Sequence, residues 1–205
     1  MRPLVRLVVI GLLSLAAAAS PRAISLTLTG LDIARALDVA KQSDAARAAF
    51  HAPYIVSFDN PVVQRIEVVT EFRRAELLGE DRVRLGDYMF TVRRARADIA
   101  PWQGKVAIRT ELRFNPQNAY VTVPEYSLDV GRAGELPAPT PLNTTRTAIF
   151  ATAAQSKTPM GQPILGAVVE SLYDAASIGQ TLRSVGVVLR GETVALATIN
   201  FSRIE

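Results

Sequence analysis

Between Lys105 and Phe114 the chain alternates: Val106, Ile108, Thr110, Leu112 and Phe114 fall on one side, Lys105, Ala107, Arg109, Glu111 and Arg113 on the other. Side chains of a strand point to opposite faces with period two, so this pattern predicts a half-buried strand with one wet face. Asn115, Pro116, Gln117 and Asn118 supply turn residues, which predicts that the following run, AYVTVPEYSLDV, returns as the antiparallel partner. Pro124 has no N–H for a ladder and places that partner at an edge or a bulge. Further β texture appears at Ile24–Thr29, at Tyr54–Phe58, at Val62–Val69, and in the last third of the chain at PILGAVVESLY, SVGVVLR and VALATINFSRI. The last two runs flank Arg190-Gly191-Glu192-Thr193 and read as a hairpin. Residues 134–147, rich in proline, read as a loop.

Helical periodicity is confined to the first half. Ile33, Ala36, Leu37 and Ala40 share one helical face, and Thr29 followed three residues later by Asp32 has the spacing of a capping box. DAARAAF makes a second, shorter helical piece ending at Phe50. A third helix is expected from Thr70 to about Leu85, with Glu71 near its N-terminus and Gly86 just past its end. Gly79 interrupts its propensity. Many strands joined by short turns, with helices grouped early, predict an α+β domain of mainly antiparallel sheet, sandwich-like, with a short N-terminal helical segment and one further helix.

The first twenty residues, MRPLVRLVVIGLLSLAAAAS, have a different texture. Arg2 and Arg6 precede an uncharged run from Leu7 to Ala19. Thirteen helical residues reach roughly 20 Å, short of a hydrocarbon core about 30 Å thick. A basic start, a short apolar run and small residues are the parts of a secretory leader, here residues 1–23 with cleavage after Ala19, Ser20 or Ala23, followed by one domain over 24–205. There is no twin arginine, and no cysteine for a lipid anchor. The expected location is exported, periplasmic or extracellular, in a bacterium, with no membrane span in the mature chain. The formal charge is +4, and removing Arg2 and Arg6 leaves about +2, spread along the chain. The interspersed charges and the export signal argue against a nucleic-acid partner. Without cysteine the fold must rest on burial of its aliphatic side chains.

Candidate chemistry is sparse. His51, in FHAPY at a helix–strand joint, is the single histidine, so any triad of the usual kind must use it. No serine nucleophile motif accompanies it, and a structural role is the expectation. One histidine without cysteine, and Glu80 and Asp81 without the spacing of a calcium loop, predict no dedicated metal. Glu67 and Glu71 would share a face were their segment one helix, as paired carboxylates do in glycoside hydrolysis, but Arg65, Arg73 and Arg74 offer them surface ion pairs instead. No dinucleotide, phosphate-loop or esterase signature occurs, and no cofactor is expected. The densest basic run, Arg93, Arg94 and Arg96, suits phosphate or carboxylate groups of an anionic envelope polymer, against a solvated face balanced by Asp87 and Asp98. With His51, these arginines are the candidate ligand-binding residues.

The reading is an exported envelope protein that binds or scaffolds, with another envelope protein or an anionic polymer as partner. An exported hydrolase working through carboxylates on a saccharide or ester is the first alternative. An outer-membrane barrel of about eight strands is the second, opposed by the charges on Arg109, Glu111 and Arg113.

Overall fold

The computed structural model describes residues 27–115, 117, 120–131, 138–151 and 163–205. The expected leader, residues 1–23, therefore lies outside the described residues, as do residues 24–26 of the first expected strand; residues 27–29 are irregular.

Thr29 caps α1 (Gly30–Ala40) with the reciprocal capping box that its spacing to Asp32 predicts, and Ile33, Ala36, Leu37 and Ala40 are the buried face. Ser43 caps α2 (Asp44–His51), a helix with no fully buried residue of its own. After β1 (Ile55–Ser57) and β2 (Val63–Val69), Thr70 caps α3 (Glu71–Arg84). Gly79 is the contact point of α1 and α3. A Cβ there would lie 2.8 Å from Ala40 Cβ and 3.0 Å from Leu37 Cδ2, so only hydrogen lets the helices approach this closely. A helix that the sequence reading lacked, α4 (Val92–Ile99), carries the arginine run. Only Ala95 and Ile99 are buried on it, with Val92 partly buried, too thin an apolar stripe to announce a helix among three arginines and an aspartate.

The remaining strands are β3 (Lys105–Arg113), β4 (Tyr126–Val130), β5 (Asn143–Phe150), β6 (Ile164–Asp174), β7 (Leu182–Leu189) and β8 (Glu192–Asn200), with a single helical turn, α5 (Ala175–Ile178), after β6. They form two antiparallel sheets, ordered β1-β2-β3-β6-β5 and β4-β7-β8. The protein is thus α+β and sandwich-like. Val106, Ile108 and Leu112 from the larger sheet meet Leu128, Val130, Val185, Val187 and Ile199 from the smaller in one core. Ile33, Leu37, Phe72, Ala75, Ala95 and Ile99 form a separate helical core, and Phe50 packs against both.

Three expectations are corrected. The return strand after β3 does not pair with it: β3 lies between β2 and β6, while β4 joins β7 in the other sheet. Strand alternation identifies a face, not a partner, and the apolar face of β4 fits the smaller sheet equally well. β4 does occupy an edge, though Pro124 lies before the strand and not within it. The end of the proline-rich stretch, from Asn143, is strand β5 rather than loop. Its mostly exposed side chains carry no alternation to read. Finally, the second face of β3 is only partly wet. Ala107 is buried, Arg109 and Glu111 are half-buried, and Arg113 alone is exposed among its polar side chains, because helices and ion pairs cover that side.

Buried polar groups of the sandwich find partners. Tyr173 donates its hydroxyl to Leu128 O at 3.0 Å, bridging the sheets, and Thr110 donates to Arg65 O at 2.8 Å. Arg183, 1% exposed, donates to Ile178 O at 2.7 Å, Ser177 O at 3.1 Å and Gly131 O at 3.2 Å. It thereby closes the carbonyl end of α5 and pins it to the end of β4.

Candidate functional site

The charged residues of α3 are not a solvated face. Glu71, Arg73 and Glu76 are buried alongside Phe72, Ala75 and Gly79. Arg73 is the hub. Its Nη1 donates to Val68 O at 2.5 Å, its Nη2 forms a short ion pair with Glu67, and its Nε donates to His51 Nδ1 at 3.2 Å. Glu67 takes its second cation from Arg109, whose Nε lies 2.5 Å away. Burial would lift the Glu67 carboxyl, but the Arg109 hydrogen bond and the charges of Arg73, Arg109 and Arg65 overcome it and hold the group below the ordinary carboxylate range. The expected surface ion pairing of these residues is thus corrected for Glu67 and Arg73: the pair is interior. Burial pulls Arg73 downward too, but a guanidinium remains charged at neutral pH.

Next along the network, three side chains that could ligate a metal or hold a proton converge, the one such group among the described residues. His51 arrives from the end of α2, while Glu76 and Glu80 sit one turn apart on α3. Their ligand atoms all lie within 4.8 Å of one another. His51 Nε2 is 3.3 Å from both Glu76 Oε2 and Glu80 Oε1. Glu80 also pairs with Arg47 Nε at 2.9 Å. Glu76 has no exposed surface, and neither of its oxygens has a hydrogen-bond partner. Burial, and then the neighbouring Glu80 charge, push its carboxyl up to about 8. At neutral pH it therefore keeps its proton, and a hydrogen bond from that proton to Glu80 would satisfy it.

The spacing would suit a metal: donors about 2.05 Å from a tetrahedral ion stand about 3.3 Å apart. The surroundings do not. A metal-bound histidine donates its remaining ring N–H to a carboxylate or carbonyl. Here Arg73 Nε presents a donor to Nδ1, so Nδ1 must be an acceptor and Nε2 must carry the proton. The trio as arranged sets the imidazole Nε2–H against two carboxyl groups.

The other predicted residues are dispersed. Glu71 accepts from the backbone N–H of Gly104 at 3.3 Å and faces a depression of about 200 Å³ shared with Arg96. Glu67 opens onto a different one, of about 160 Å³, with Arg65 and Arg109. Burial raises the Glu71 carboxyl, with the N–H donors of Gly104 and Leu28 opposing. Arg93, Arg94 and Arg96 are exposed on α4. Asp98 does not balance them, as it pairs with Arg82 at 3.4 Å. A cleft of about 420 Å³ between α3 and α4 mixes Arg74, Arg84 and Arg109 with Asp81 and Asp98, and Arg74 stacks 3.4 Å over the Trp102 ring inside it. Sequence reasoning missed Glu76 altogether. Its spacing of four from Glu80 was the available signal, since positions i and i+4 share a helix face.

Comparison of the chain with protein-family models, with curated proteins and with solved structures finds no match.

Proposed function

We propose that the chain is an exported envelope domain that binds or scaffolds rather than catalyses, using the arginines of α4 toward an anionic envelope component. One observation carries the reading: Glu67, Glu71 and Glu76 are each held by contacts inside the fold, and no cleft among the described residues brings two of them together. Glu67 neutralises Arg73 and Arg109, Glu71 accepts from the backbone, and the one strongly perturbed acid, Glu76, lies fully buried. A general acid must reach the substrate atom it protonates, which a carboxyl without exposed surface does not. Arg93 and Arg94, by contrast, are exposed and form no ion pair among the described residues, which suits them to bidentate capture of phosphate or carboxylate.

The test is fractionation of a bacterium expressing the full-length gene, with the N-terminus of the product sequenced. The expected product is periplasmic and begins at Ser20, Pro21 or Ile24. An intact chain in the cytosol would overturn the export reading. Retention of the purified protein on an anionic matrix, lost in R93E/R94E, tests the binding reading.

A further inference from the structure

The turn joining α3 to α4 is unusually well held for a segment so apolar and so exposed. Gly86, at φ +74°, ends α3 in a left-handed cap. Its N–H reaches Val83 O at 3.0 Å and the Asp87 N–H reaches Arg82 O at 2.8 Å, the paired bonds that close a helix and fix the direction of the exit chain. At the far side Thr91 caps α4 by accepting the Arg94 N–H at 3.4 Å. Between these anchors Phe90 turns inward against the helical core, with the Arg82 guanidinium 4.9 Å over its ring. What is left outside is Leu85, Tyr88 and Met89, at 76%, 74% and 81% exposure. Three large apolar side chains within five residues are presented to water by a backbone tied down at both ends. Scattered apolar residues need no explanation; a cluster does.

From this we infer that the α3–α4 turn docks onto an anionic lipid surface, Leu85, Tyr88 and Met89 entering the headgroup region while Arg93 and Arg94 bind lipid phosphates. The charges suit this partner. Arg82 and Arg84 are already occupied by Asp98 and Asp81, whereas Arg93 and Arg94, two residues into α4, have no ion pair among the described residues. Side chains three-quarters exposed project rather than line a groove, and so fit a broad soft partner better than a protein cleft. Tyrosine places its ring at the acyl boundary and its hydroxyl among headgroups, while arginine adds electrostatic attraction to acidic lipids. The inference gives the proposed anionic component a chemical identity and rests on that reading for the surface to be within reach. Vesicle binding itself is measured on purified protein, wherever the cell places it.

The experiment is flotation of the full chain with vesicles of phosphatidylcholine alone and of phosphatidylcholine mixed with phosphatidylglycerol, at low and high salt. Variants Y88S/M89S and R93E/R94E are run with the same N-terminus, so any contribution of the leader cancels. L196S, an exposed apolar position on β8, is the control. Binding to the acidic vesicles, weakened by about tenfold or more in each paired variant and unchanged in L196S, is expected. All substituted side chains are exposed, and thermal melts verify that the variants fold. Absence of vesicle binding, indifference to lipid charge, or binding unaffected by Y88S/M89S overturns the inference. So does full competition by soluble dextran sulfate with no dependence on Tyr88 and Met89, which would assign the arginines to a polymer. Self-association abolished by Y88S/M89S would assign the turn to a second copy of the chain and overturn it equally.

Discussion

Replacing Glu76 by Gln keeps the shape of a fully buried side chain and removes its titration. Around it stand Glu80 and Arg73 on α3, His51 and Arg47 from α2, and the Tyr54 hydroxyl, itself pushed up to about 12 by burial. The carboxyl rises from 4.5 in the open chain to about 8 in the fold. Each unit of such a difference is worth about 1.4 kcal/mol, so the whole corresponds to at most roughly 5 kcal/mol. Because the folded value is the higher one, the native state binds more protons than the unfolded state between the two values, and stability declines as pH rises. The contribution is complete below 4.5, shrinks through neutrality and is gone above about 8. Urea unfolding at a series of pH values from 5 to 9 measures it. The wild-type free energy of unfolding should decline across that range, E76Q should decline less, and at pH 9 E76Q should be the more stable protein by a few kcal/mol. Parallel curves for the two proteins would refute the assignment of a buried proton to Glu76.

Other substitutions probe the remaining buried polar contacts and the closest helix approach. R73M removes a donor from Val68 O and one of the two cations of Glu67, while E67Q leaves the buried Arg73 without its carboxylate; each should cost about 3 to 5 kcal/mol in urea unfolding, and the double variant should deviate from additivity by at least about 1 kcal/mol. G79A gains about 1 kcal/mol of helix propensity, yet its Cβ meets the backbone-fixed Ala40 Cβ, so a net loss of about 1 to 2 kcal/mol and a lower Tm are expected. R183M leaves three carbonyls at the α5–β4 joint without their donor and should lower stability by about 3 kcal/mol or more, read by thermal denaturation.

Much of the fold could be read in local pattern because the physics there is local. The Thr29–Asp32 box, the Ile33-Ala36-Leu37-Ala40 stripe, the Thr70 cap and the Gly86 stop each depend on residues within one or two turns. The pairing of β3 could not be read so, because β6 lies some sixty residues away and its apolar pattern resembles that of several other strands. The buried network was hidden for a related reason. Charged residues are rarely interior unless paired, and the pairing of Arg73 with Glu67 and His51 arises only when β2, α2 and α3 are brought together. In sequence, Arg73 and Arg74 look alike, yet their neighbours differ: one reaches a carboxylate and an imidazole, the other an indole ring. His51 stood out in the sequence as the single histidine, whereas Glu76, which the fold places beside it, did not.

The second helix, lacking any fully buried side chain, is fastened by Arg47, by His51 and by the half-buried Phe50. An element attached through so few side chains forms its own unit of opening, separate from the sheets. Its amides should exchange with deuterium well before those of β3 and β6. The molecule would then lose its structure in two stages, with the portion around residues 44–51 yielding first and the sandwich outlasting it.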